Sequence, residues 1–210
     1  MQLMRHVMAP MVFAFTMAGA VPSQAADLSV SGQIRSDGAC SIALGNGGVV
    51  DFGNLSREDL RNRYLQREMP LTISCQHPTK VGFNMTDNRA GTQPDWPYGS
   101  FGLGNSAIAS YRIWSLPGET DWGAVLPIGW DPDLWGGGWV AGDLNVAIFP
   151  DGRSNSWMRP TNTSEQWQPV AFKTLTGGFR FYVDLLFEEG TAFTDEFEIN
   201  GSATLELRYL

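Results

Sequence analysis

Ser202-Ala203-Thr204-Leu205-Glu206-Leu207-Arg208-Tyr209-Leu210 is the stretch whose reading decides the fold. Ala203, Leu205, Leu207 and Tyr209 fall on one side and Ser202, Thr204, Glu206 and Arg208 on the other. That is the period of a half-buried strand, in which successive side chains point to opposite faces. Working outward, the same alternation runs through 170–187, 81–85, 71–75 and 41–44, and at Leu28, Val30 and Ile34 with Gly32 in register. Gly45-Asn46-Gly47-Gly48 is a turn, after which 49–53 begins another strand. Short strands are predicted over 108–114 and 143–149, and 130–142 reads as an irregular loop built on glycines. One segment changes period. Ser56-Arg57-Glu58-Asp59 resembles a capping box, Leu60, Tyr64 and Leu65 share one side, and Asp59 and Arg63 pair at i,i+4, so a short helix is predicted, ending near Pro70. His77, just before Pro78, reads as a turn residue. Many short strands, frequent turn signals and one short helix predict an all-β sandwich of antiparallel strands. No second core is evident, so 26–210 reads as a single domain with a Trp/Gly-rich loop region around 92–168.

Composition narrows the function. The chain has 210 residues and a formal charge of −8, from 14 Lys+Arg against 22 Asp+Glu. Such a chain has no basic stripe to neutralise phosphates, which argues against nucleic acid as a partner. At 43% hydrophobic it can bury a core, which argues against disorder. All eight Trp lie between Trp96 and Trp167, so the aromatic surplus belongs to one region.

The amino terminus reads as an address. Arg5 is followed by an uncharged apolar stretch from Val7 to Val21, and Ser23 and Ala25 place small residues at −3 and −1 of a cleavage site. This is the pattern of a secretory signal peptide over 1–25. The apolar run is short of the ~20 residues a spanning helix needs, so no membrane span is expected in the mature chain. Losing Arg5 takes the charge from −8 to −9. Export to an oxidising compartment makes Cys40 and Cys75, the two cysteines of the chain, an expected disulfide.

Reactive constellations are sparse. His77 is the one histidine after the signal peptide, no Gly-x-Ser-x-Gly elbow or phosphate-cradling Gly-rich loop occurs, and the acidic residues between Glu119 and Asp151 lack calcium-loop spacing. We therefore expect no enzyme, no cofactor and no metal site. The aromatics offer one binding candidate. Exposed indoles stack on pyranose faces, and Trp135-Gly136-Gly137-Gly138-Trp139 places Trp135 and Trp139 on a glycine-spaced segment suited to glycan contact. The alternative for each Trp is packing of the long loops onto the strands.

Several segments together carry a family resemblance. Val30, Gly32, Ile34 and Cys40, then Val50, Phe52 and Gly53, a second Cys after an alternating strand, and a closing strand with penultimate Tyr209 resemble pilus subunits of the chaperone–usher type. Asp87-Asn88-Arg89-Ala90-Gly91, Phe101-Gly102-Leu103-Gly104, Pro169-Val170-Ala171-Phe172 and Gly201-Ser202-Ala203-Thr204-Leu205 resemble the fimbrial-like DUF1120 family of Gram-negative bacteria. The resemblance implies an immunoglobulin-like sandwich lacking its last strand, exported to the periplasm and then to the cell surface as part of a fimbrium. It implies as partners a periplasmic chaperone, an outer-membrane usher and neighbouring subunits, which fill the groove by β-strand addition. Ala203, Leu205, Leu207 and Tyr209 would contact the chaperone or donor strand, and Leu28, Val30 and Ile34 would be the donor residues. The arm before the first strand is shorter than the ten or more residues typical of such subunits. The other reading is a carbohydrate-binding or adhesin-like surface module that uses the Trp-rich loops.

Overall fold

Alternating apolar residues form strands that must bury one face, and here they do so almost without helix. The computed structural model describes residues 39–53, 64–95, 99–107, 109–134, 136–142, 145–161, 167–186 and 199–210. The described residues all belong to one compact unit, Arg35–Leu210. Eleven strands follow in order: β1 (Cys40–Leu44), β2 (Tyr64–Asp87), β3 (Phe101–Gly102), β4 (Ala109–Ser115), β5 (Gly118–Thr120), β6 (Gly123–Asp131), β7 (Gly138–Ala141), β8 (Val146–Ile148), β9 (Asn155–Met158), β10 (Ala171–Leu185) and β11 (Ala203–Tyr209). All pairings are antiparallel. The all-β expectation is met, and the helical content of the described residues is a single 3-10 turn at Gly45–Gly48.

The long β2 organises the rest. Its first part pairs with β10 from Tyr64↔Asp184 to Lys80↔Ala171, and residues 71–75 also pair with β1, Cys75↔Cys40 to Leu71↔Leu44. Its last part pairs with β11, Val81↔Tyr209 to Asp87↔Ala203, and touches β9 at Phe83↔Asn155. On the first side β10 continues to β4, which carries β3 and β8. On the second, β9 continues to β6 and β7. Strand β5 pairs with both β10 and β6 and so bridges the two groups, which also meet through rings. Phe83 of β2 lies 5.3 Å from Trp157 of β9 and 5.2 Å from Phe179 of β10, and all three side chains are fully buried. Each such ring contributes on the order of 1.5–3 kcal/mol by leaving water. Leu71, Ile73, Ile113, Phe172 and Leu175 complete the centre of the core.

Four expectations are corrected. The helix predicted from Ser56 to near Pro70 does not hold where it is described: Tyr64 to Pro70 is strand, while residues 54–63 lie outside the described residues. His77 and Pro78 stand inside β2, at a place where β10 loses register, from Phe172↔Thr79 to Thr174↔Ser74. A proline without an N–H donor is tolerated at such a bulge. The glycine-rich 130–142 segment forms the β6–β7 hairpin, with Trp130↔Trp139 and Asp131↔Gly138 in register. Gly136 and Gly137 turn it at φ +82° and +79°, a backbone region that favours glycine. Residues 49–53, expected as a strand, belong to no strand.

Candidate functional site

The cysteines set the first rim of the site. Cys40 and Cys75 are joined by a disulfide that pins β1 to β2 across a separation of 35 residues. From there Cys40, Ile42 and Leu44 turn inward by strand alternation, and Val50 and Phe52 extend the apolar edge beyond the Gly45–Gly48 turn. The guanidinium of Arg67 covers the Phe52 ring at 5.5 Å. The second rim is β11, where Leu205 and Leu207 are half-buried against the core and Ala203 is exposed. Among the described residues β11 has β2 as its one strand partner, so its outer edge carries no ladder.

Between the rims lies a cavity of about 390 Å³. Met69, Met85, Ile113, Phe181 and Val183 form its floor, and Leu44, Phe52 and Leu205 stand along its sides. Gly201 closes toward the ring of Tyr111: a Cβ there would stand 2.7 Å from Tyr111 Cε1 and 2.8 Å from Leu103 Cδ2, so a side chain at this position collides with the wall. Among the described residues none that lines the cavity carries a formal charge. The Tyr111 hydroxyl is pushed above its ordinary pKa by burial and by the nearby negative charge of Asp87, so it stays protonated. The described lining is therefore uncharged, with an apolar floor and the polar side chains of Asn200 and Ser202 also on its wall, and the floor suits a run of apolar side chains.

At the opposite end the rims are joined. The amide of Cys40 donates to Tyr209 Oη at 2.9 Å, and the amide of Leu210 donates to the carbonyl of Lys80 at 3.1 Å. Tyr209 thus reaches from β11 to β1 although the residue is 54% exposed. The four residues proposed from the closing alternation take different places: Ala203 and Leu205 line the cavity, Leu207 packs beside it, and Tyr209 ties its end. Leu28, Val30 and Ile34 lie outside the described residues. The floor was not singled out by sequence reasoning, because Met69, Ile113 and Phe181 look there like ordinary inward residues.

The Trp-rich region is distributed. Trp157 is buried in the core and Trp122 is exposed, while Trp114, Trp130, Trp139 and Trp167 are half-buried. Trp139 meets Trp130 edge to face at 5.6 Å, which uses part of its ring in the hairpin itself. Trp135 lies outside the described residues. Among the described residues no group of three or more His, Cys, Asp or Glu is placed to hold a metal ion. No helix among them is long and apolar enough to cross a membrane.

No curated protein matches the chain. Among solved structures, a chain from the structure of a chaperone-usher pilus concerned with the molecular basis of rod uncoiling aligns with a TM-score of 0.42 and 13% identity, over 92% of this chain and 100% of that one. Residues 28–106 match the family described as "Protein of unknown function (DUF1120)", the family that the motifs around Asp87 and Phe101 resemble.

Proposed function

We propose that this chain is an exported, non-enzymatic structural subunit of a fimbrium, an immunoglobulin-like sandwich that completes its fold with a strand from another chain. The observation that carries this reading is the uncharged cavity with an apolar floor between β1 and β11, beside a β11 edge with no ladder among the described residues. An extended apolar segment entering there would gain main-chain hydrogen bonds from β11 and bury side chains against Met69, Met85 and Phe181. Each Å² of apolar surface so removed from water is worth roughly 25 cal/mol. In this reading the strand comes first from a periplasmic chaperone and then, at an outer-membrane usher, from a neighbouring subunit, with Leu28, Val30 and Ile34 as the segment passed to the next copy.

The test is periplasmic expression of the full chain with and without a cognate chaperone. The expected result is aggregation or degradation of the lone chain, and a soluble one-to-one complex when the chaperone is present. Replacing Leu205 and Leu207 with Ser should remove capture while leaving export intact. A lone chain that is monomeric and unfolds in one cooperative transition would overturn the proposal.

A further inference from the structure

The face of the β10–β4 sheet turned away from the core carries a second feature that the groove does not use. On β4, Tyr111 and Ile113 point inward, so Arg112 and Trp114 point out; on β10, Phe181 and Val183 point inward, so Arg180, Tyr182 and Asp184 point out. The register sets Trp114 beside Arg180 and Arg112 beside Tyr182. Arg112, Trp114, Tyr182 and Asn145 line a shallow depression of about 260 Å³ on this face.

Its charges are balanced. Arg112 holds Asp184 through two hydrogen bonds, Nε to Oδ2 and a terminal nitrogen to Oδ1, both at 2.8 Å. Arg180 holds Glu68 at 2.6 Å and also bonds the Tyr182 side chain. Each cation is thus matched by a carboxylate, so the face has no net field to select an anion, and both guanidinium planes are oriented by their partners. What remains is an indole and a phenol as half-buried flat apolar surfaces, ringed by an amide, a hydroxyl and two guanidinium groups. That combination matches a ligand with one apolar C–H face and an edge of uncharged donors and acceptors. The volume lies below the roughly 300–1,000 Å³ of a drug-sized pocket, so it suits one ring.

We propose that this outer sheet face binds a neutral pyranose, stacked on Trp114 beside Tyr182 with its hydroxyls toward Asn145 and Arg112. The site is separate from the groove and does not depend on strand addition. It also moves glycan recognition away from Trp139, whose ring is engaged by Trp130.

The full chain, alone or in complex with its chaperone, is mixed with methyl glycosides of neutral hexoses and N-acetylhexosamines and observed by saturation-transfer NMR. At least one glycoside should show transfer to its ring C–H protons. Trp114→Ala should weaken it about tenfold, the size of a lost stacking contact. Tyr182→Phe, which keeps the ring and drops the hydroxyl, should weaken it a few-fold, and Trp139→Ala should leave it unchanged. Circular dichroism of each variant confirms that the outward substitutions leave the fold intact. Four results would overturn the proposal: no transfer to any neutral glycoside with folded wild-type protein, binding unchanged in Trp114→Ala, loss in Trp139→Ala with Trp114→Ala unaffected, or a glucuronide bound tenfold more tightly than the matching glucoside.

Discussion

Strands β10 and β11 have the same alternation and different fates. In β10, Phe179, Phe181 and Val183 alternate with Arg180, Tyr182 and Asp184; in β11, Leu205 and Leu207 alternate with Glu206 and Arg208. Yet Phe179 and Val183 are buried to 0% and 1% exposure, while Leu205 and Leu207 are only half-buried. The difference lies in what surrounds each strand. β10 has β2 and β4 on its two edges, and Phe83 of the other strand group covers Phe179. β11 has β2 on one edge, and its inward face looks onto the cavity. Periodicity therefore assigns a face, and only distant partners decide whether that face is covered.

The largest effect should come from the covered strand. Phe179→Ala removes a fully buried ring and should cost about 3–5 kcal/mol, read from the denaturant midpoint of the chain held in complex with its chaperone. Leu207→Ala, on the half-buried rim, should cost about 1 kcal/mol in the same measurement, since part of its surface already meets water. Equal losses at the two positions would mean that the rim is as well covered as the centre, and the contrast between the strands would collapse.

Next in size is the disulfide that holds the other rim. Replacing Cys40 and Cys75 together by Ser should cost about 3–4 kcal/mol by loop-closure reasoning for a 35-residue separation. Because β1 pairs with β2 over only five residues, the loss should appear first as faster amide exchange in β1 and slower change in β10. Uniform loss of protection across both strands would show that the rim is not a separate, weaker element.

The end tie is smaller. Tyr209→Phe removes the acceptor for the Cys40 amide and keeps the ring, and on an exposed hydrogen bond should cost about 0.5–1 kcal/mol. Its sharper signature is local: exchange of the Cys40 amide should rise while that of Ile73, at the centre of β2, stays unchanged. A change at Ile73 as large as that at Cys40 would show that Tyr209 supports the core rather than the rim.

Much of this was legible. β1, β10, β11 and two stretches of β2, 71–75 and 81–85, follow from period-2 runs, and the cysteine pair from the export pattern. What failed did so for identifiable reasons. Gly129 and Gly138 lie in the β6–β7 hairpin, and a glycine contributes no side chain to an alternation, so the strands read as loop. Leu60, Tyr64, Leu65 and the Asp59–Arg63 pair favoured a helix by local spacing, but from Tyr64 onward the ladder with β10 wins. Pro70 looked like a stop; it stands opposite Gly178 and one residue before the first β1 partner, Leu71, so its missing N–H removes no bond to β1. The cavity was only half legible. The sequence marked Leu205 as a wall, whereas Met69 and Ile113 become its floor through a non-local arrangement that no local pattern encodes.

The smallest effect concerns how β10 passes its own irregularity. Where β10 loses register opposite Pro78, the amides of Lys173 and Thr174 donate to Asp121 Oδ1 at 2.8 and 3.1 Å. Desolvation pushes the Asp121 carboxyl upward, but the amides of Thr174 and Lys173 and the charge of Lys173 outweigh it and hold its pKa below the usual value. A carboxylate depressed in the folded state contributes stability that is present above its unfolded pKa and is lost as pH falls through the folded one. Asp121→Ala should therefore lower the denaturant midpoint of the chaperone-held chain slightly at neutral pH, with the gap from wild type closing as the pH drops through the range below 4. Asp121→Asn keeps an acceptor for one amide without the charge, and should fall between the two at neutral pH. A gap that persists undiminished at acid pH would mean that the side chain acts through packing, and that β10 crosses its bulge without electrostatic help, as β11 meets its open edge.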